Sequence, residues 1–221
     1  MRLSSLLCRL WMTGFLAAGT LFGLAGSASA HPHVFVVVKS VVVFGQDGKI
    51  AAIRHSWTFD DMYSAFATQG LGPDPAKLAN DLQQLAKVNV EQLEEASFFT
   101  FLRVGGKKQS DFSPATDYSI TLDKDKIVTL SFTVPLKHPT TTGRALILQV
   151  TDPTYFVAFD FDKDRAVTME NAPAGCSLNI NQPQGLSAAD QKRLEDVAGT
   201  NDSPGQDFGF KLASRAIVAC P

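Results

Sequence analysis

The run His31, Pro32, His33 places two imidazoles one residue apart, directly after a stretch of small residues, Ala28, Ser29 and Ala30. At the start of a strand, side chains two apart point to the same face. Their backbones are then separated by ~6.7 Å, and rings leaning together from that spacing can share a zinc-sized ion at ~2.1 Å. If processing after Ala30 leaves His31 as the first residue, its α-amine adds a third nitrogen donor. Such a corner is a nitrogen site that serves Zn(II), Cu(II) and Ni(II) alike. Pro32 removes one mode: the square-planar amino-terminal copper or nickel chelate needs an amide hydrogen that proline lacks. Imidazole and amine ligation remains, as in a tetrahedral zinc site or a copper brace.

Further donors follow from the strand pattern. Residues 34–38, 41–44 and 50–59 read as a long hairpin turning at residues 45–48. With a two-residue turn at Asp47 and Gly48, Phe35 faces Asp60 and Val34 faces Asp61; with a four-residue loop, His33 faces Asp60. Either register brings the Asp60, Asp61 pair to the His33 end. There Asp60 is a candidate oxygen ligand or an acceptor for an imidazole N–H, and its bland alternative is a helix cap. His55 is a weaker candidate. The two registers pair it with Ser40 or Val38, roughly 16 to 23 Å from His33 along a regular strand. It shares a face with Ile53, Trp57 and Phe59, so a half-buried histidine bonded to backbone or hydroxyl is the competing expectation. His138 reads as a loop histidine.

Residues 1–30 read as a cleaved secretory signal: Arg2 and Arg9 form the positive region, residues 10–25 the apolar region, and Ala28, Ser29, Ala30 the cleavage site. Thr13, Gly14, Gly19, Thr20 and Gly23 break the apolar run, which argues against a membrane span. Cys8 lies in the leader, so the exported chain keeps Cys176 and Cys220, and an even pair in an oxidising compartment reads as a disulfide. The expected location is the periplasm.

The whole chain has 221 residues with 20 Lys+Arg against 22 Asp+Glu, 45% apolar and 19% charged residues. That is the profile of a globular domain, and it excludes a disordered chain, a collagen-like fibre and a multi-pass membrane protein. Loss of Arg2 and Arg9 makes the exported chain more acidic still. With no Lys/Arg cluster, the sequence carries no electrostatic footprint for a phosphate backbone, and nucleic acid is not expected as a partner.

The remaining pattern predicts a short helix over 62–69 behind Asp60 and Asp61, stopped by Gly70. A longer helix opens with Asp74 as N-cap and Pro75 at its first position, with Leu78, Leu82, Leu85, Val88 or Asn89, and Leu93 as its buried stripe. Strands are expected over 98–102, 117–122, 127–134, 145–150 and 155–161, and a late helix from Ser187 with Asp190 in a capping box. The sum, residues 31–221, is one α+β domain, mostly antiparallel sheet with a long N-terminal hairpin and two or three helices.

Several sharper templates fail. Residues 160–164 imitate an EF-hand start, but Arg165 and Asn171 stand where glycine and glutamate are required. Zinc-protease helix, phosphate loop, dinucleotide fingerprint and nucleophile elbow are all absent from the sequence.

Taken together, HPHVF (31–35), WTFD (57–60), SAF (64–66), NV (89–90), FFTF (98–101), GR (143–144), DPTYFVAF (152–159), APAGC (172–176) and VACP (218–221) resemble an uncharacterised periplasmic family of bacteria. It is labelled a domain of unknown function and described as the periplasmic component of an ABC-type transport system. The resemblance implies an inner-membrane permease of the nickel/cobalt type as partner, and a role in zinc handling. It carries His31, His33 and, with less weight, Asp60 and His55 as metal residues. Calcium is not carried over, because this chain has Gly70 to Pro75 where some relatives have an acidic insert. The resulting expectation is a non-enzymatic metal-binding accessory protein. The alternatives are a copper oxidoreductase using a brace from His31 plus His55 or His138, and a metal-free envelope interaction module.

Overall fold

A computed structural model describes residues 32–109, 111–198, 200 and 202–221. The expected signal sequence and His31 lie outside the described residues. Strands β1 (Val34–Phe44) and β2 (Ile50–Phe59) form the antiparallel hairpin. Their register runs from Val36 opposite Phe59 to Val43 opposite Ala52, the one expected for a two-residue turn, yet the turn is different. The Gly48 N–H donates to the Gly45 carbonyl at 3.0 Å, and the Gly45 N–H to the Lys49 carbonyl at 2.8 Å. Gly48 sits at φ 73°, where glycine carries no Cβ penalty. The difference is absorbed by a bulge, since Phe44 pairs with Ile50 and Ala51 is left over. That extra residue lets Ile50 and Ile53, three apart, both face inward, with Ile50 and Ile53 fully buried.

Helix α1 (Asp61–Ala67) follows at once, with Asp60 as N-cap accepting from the Tyr63 N–H. Helix α2 (Pro75–Glu95) has Asp74 as N-cap and Pro75 in its first turn, as read from the sequence. Its inner stripe is Leu82, Leu85, Ala86, Val90 and Leu93, whereas Val88 is 48% exposed. Asn89 takes the alternative place, donating to the Leu85 carbonyl and accepting from the Tyr63 hydroxyl.

The remaining strands are β3 (Thr100–Val104), β4 (Lys107–Gln109), β5 (Thr116–Leu122), β6 (Val128–Thr140), β7 (Leu146–Val150), β8 (Val157–Phe161), β9 (Val167–Glu170), β10 (Ser177–Asn181) and β11 (Arg215–Ala219). Helices α3 (Ala188–Val197) and α4 (Phe208–Leu212) lie between the last two. One sheet has the order β5, β6, β2, β1, β8, with β9 also against β1; the other has β10, β11, β7, β3, β4. All pairs are antiparallel except β1 with β8 and β1 with β9. The chain is therefore an α+β fold with a β-rich core. A single apolar cluster draws on both sheets and on α2, through Val38, Trp57, Phe132, Leu102, Leu148, Val218 and Val90. His138, expected in a loop, lies on β6 near Thr140, which pairs with Ile50 at the turn end of the hairpin.

Cys176 and Cys220 are joined in a disulfide across a sequence separation of 44. It staples the segment leading into β10 to the end of β11. Closing a loop of this size constrains the unfolded chain by about 4 kcal/mol in the entropy model. Replacing both cysteines by serine should lower stability by up to about that amount, measured by urea unfolding, and thiol titration of the denatured, non-reduced wild type should find neither residue free.

Candidate functional site at the open end of the first strand

His33 immediately precedes β1. Its N–H donates to the Phe156 carbonyl at 2.9 Å, and its ring lies against the Phe156 ring with centroids 4.3 Å apart. This contact continues the parallel β1/β8 ladder by one rung, since Val34 is paired with Val157. Along the outward face, Phe35 and Val37 follow His33 at period two, 53% and 45% exposed, and Phe156 is 44% exposed beside them. The histidine thus sits at the rim of an aromatic surface. Single exposed hydrophobes are ordinary, but two on β1 beside a third on the segment leading into β8 form a patch.

Two carboxylates, Asp60 and Asp152, hold this corner in place. Asp60 accepts from the Phe35 N–H and from the Tyr63 N–H, both at 2.7 Å, one with each oxygen. The Asp60 N–H donates in turn to the Phe35 carbonyl at 3.0 Å. Asp60 therefore meets Phe35, as the two-residue register required, and its carboxylate is a helix cap and a strand clamp together. Asp61 lies in the first turn of α1, and its Oδ1 accepts from the Met62 N–H at 2.8 Å.

Asp152, which the sequence reading did not single out, is 5% exposed. One oxygen accepts from the Thr154 N–H and hydroxyl at 2.9 and 2.8 Å; the other accepts from the N–H groups of Phe156 and Val157 at 2.9 and 3.0 Å. Four donors on one buried carboxylate shape the segment that carries Phe156 to His33. Gly209 presses on this segment from behind, donating to the Pro153 carbonyl, and a Cβ there would collide with the Asp152 backbone. The readable signal was Asp before Pro and Thr, an Asx-turn sequence. Burial, then the negative charge of Asp160, pushes the neighbouring Tyr155 phenol up.

His55 is elsewhere. It pairs with Ser40, seven residues from His33 along β1, or roughly 23 Å at strand rise. It is 1% exposed, and both ring nitrogens are engaged: Nδ1 with Ser40 Oγ at 2.9 Å and Nε2 with Thr100 Oγ1 at 3.1 Å. Thr100 Oγ1 donates to the Phe98 carbonyl at 2.8 Å, so it accepts from Nε2–H, and Nδ1 accepts from Ser40. This assigns the neutral Nε2–H tautomer, and desolvation lowers the ring's pKa to about 3. With its one lone pair directed at Ser40, His55 is a structural link between β1, β2 and β3. The structure does not bring it to His33, nor His138, which is on β6 at the turn end. Among the described residues no three His, Cys, Asp or Glu side chains gather closely enough to hold a metal ion.

The His55 proton has a measurable consequence. The unfolded ring titrates near 6.5 while the folded ring stays neutral to about 3, so the unfolded state binds the extra proton as pH falls between them. Stability from this group is fully present above 6.5 and is lost below it, by up to about 1.4 kcal/mol per pH unit. His55→Gln keeps a donor toward Thr100 and cannot titrate. Its unfolding free energy should fall less steeply between pH 6.5 and 4 than that of the wild type, and parallel slopes would refute the assignment. Asp152→Ala should cost about 2 to 4 kcal/mol by removing the acceptor shared by three N–H groups and a hydroxyl, read by urea unfolding, with hydrogen exchange of the Phe156 and Val157 amides accelerated.

Two comparisons bear on identity. The profile of a family described as "Protein of unknown function (DUF1007)" matches residues 16–220. An uncharacterized protein of Haemophilus influenzae is 21% identical over 193 residues, covering 86% of this chain and 91% of that protein. With almost its whole length matched, from the disulfide-closed C-terminus back through the His33 corner, the chain belongs to the DUF1007 family of proteins of unknown function.

Proposed function

We propose that this is a periplasmic metal-binding accessory protein that captures Zn(II), or alternatively Ni(II), Co(II) or Cu, and exchanges it with an inner-membrane metal permease. The observation that supports the reading is the position of half-buried His33 at the start of β1, fixed through its backbone to Phe156, with His31 two residues upstream. The ligands are the His31 amine and imidazole and the His33 imidazole. Asp60 keeps the strand end in place through the Phe35 N–H and adds negative charge beside the corner, which favours an approaching cation. A Cys176–Cys220 disulfide fits an oxidising compartment such as the periplasm. A corner built of two imidazoles and an amine leaves room for a ligand from the receiving protein, which is what transfer rather than storage requires. The copper oxidoreductase alternative lacks its remote imidazole, because neither His55 nor His138 lies at the His33 end.

Amine and imidazoles must shed their protons to bind, so affinity should fall as pH drops from about 8 toward 6. Calorimetric titration of the exported, processed protein with zinc should show one site per chain. The His31→Ala/His33→Ala double variant should bind at least about a hundredfold more weakly, while His55→Gln binds as the wild type does. Unchanged affinity in the double variant would end the proposal.

A further inference from the structure

On the far sheet, the residues between β10 and α3 fold against α4 and the start of β11 to enclose a cleft of about 540 Å³, within the size range of small-molecule sites. Its apolar wall comes from Pro183, Leu186 and Phe210, and its polar wall from Asn181, Gln182 and Arg215. The Phe210 ring is set edge-on against Phe101, with centroids 4.7 Å apart, which fixes the face it presents. Gln182 Oε1 accepts from the Ser214 hydroxyl at 3.0 Å, leaving the amide NH2 end of Gln182 as the part able to donate.

The charges in the cleft are unbalanced in a particular way. Lys211 Nζ is 2.5 Å from Asp190 Oδ1, and the Ser187 hydroxyl donates to the other Asp190 oxygen at 2.7 Å. Lys211 first, then Ser187, holds the Asp190 carboxyl below its usual range, so this pair stays ionised and cancels itself. Arg215 is different: among the described residues no carboxylate forms an ion pair with it. Its strand position is fixed by pairing with Asn181. One uncompensated guanidinium, amide donors and an apolar wall together describe a receptor for a monoanion with a hydrophobic body. A planar fork matches a carboxylate in two parallel hydrogen bonds. A phosphate dianion would bring one charge too many, and the apolar wall would add nothing to the binding of a bare inorganic ion.

We propose that this cleft binds a small organic carboxylate, its carboxylate on Arg215 and its apolar portion against Phe210 and Leu186. The site is separate from the His33 corner and stands or falls independently of the metal proposal. Amide-detected NMR titration of the folded protein with 3-phenylpropionate tests it, with 3-phenylpropanamide as neutral isostere and inorganic phosphate as simple anion. Saturable shifts are expected at Leu186 and Phe210 with a Kd of about 1 mM or tighter. The neutral isostere, phosphate, and Arg215→Gln with phenylpropionate should each bind at least about tenfold more weakly. Arg215 is exposed, so its variants retain the fold, which their spectra will verify; Arg215→Lys, keeping charge without the fork, should fall between wild type and Arg215→Gln. The absence of saturable shifts at about 20 mM, equal binding of the neutral isostere or of phosphate, or an unaffected Arg215→Gln would overturn the proposal.

Discussion

The two sheets of this protein are tied together in the core by a chain of hydrogen bonds from Ser40 through His55 to Thr100. Around it the core is apolar and aromatic, with Phe132 and Trp57 packed against the imidazole at centroid separations of 5.1 and 5.7 Å. Apolar surfaces tolerate small slips in relative position; a buried imidazole with both nitrogens satisfied does not, because any slip orphans a donor or an acceptor at a cost of about 1 to 3 kcal/mol. The link thus specifies how β3 lies over the β1/β2 hairpin. Thr100 completes it only because Ser97, Phe98 and Phe99 all adopt left-handed backbone conformations, with φ of 52°, 54° and 46°. Such conformations are unfavourable for residues other than glycine. Phe98, 1% exposed, and the bonded Phe98 carbonyl are what hold that turn.

A second theme is the use of carboxylates on backbone. Asp60, Asp74, Asp123, Asp152 and Asp162 each accept from one or more main-chain N–H groups. In Asp60 and Asp152 this fixes the two segments that flank His33. The residues 160–164 that imitate a calcium loop belong to the same pattern: Asp162 binds the Asp164 and Arg165 N–H groups, and these bonds, ahead of nearby Lys39, hold its carboxyl low.

Much of this was readable from residue order. Alternation in β1, the capping residues Asp60, Asp74 and Ser187, the paired cysteines and the hairpin register all express local rules. The legible part of the site was the meeting of Phe35 with Asp60, which follows from counting along the hairpin. What escaped was nonlocal or conformational. The bulge at Ala51 altered the turn without altering the register. Strands β9, β10 and β11 are short, and α4 has five residues, too few for a periodic signal. The role of His55 depended on Thr100 from the other sheet, and that of Phe156 on a parallel pairing that no hairpin count can find.

That parallel pairing also bears on how the chain comes to be folded. The valine-rich first strand closes one edge early, by turning back on β2, but its other edge waits for β8 and β9 far downstream. A polypeptide emerging from its amino end therefore carries an open, β-branched margin for most of its synthesis, the kind of margin that recruits strands from other molecules. Loop closure over so long a separation makes the step slow as well. The second margin of the first strand is thus covered only once the last third of the chain is available, a delay set by the order of the strands.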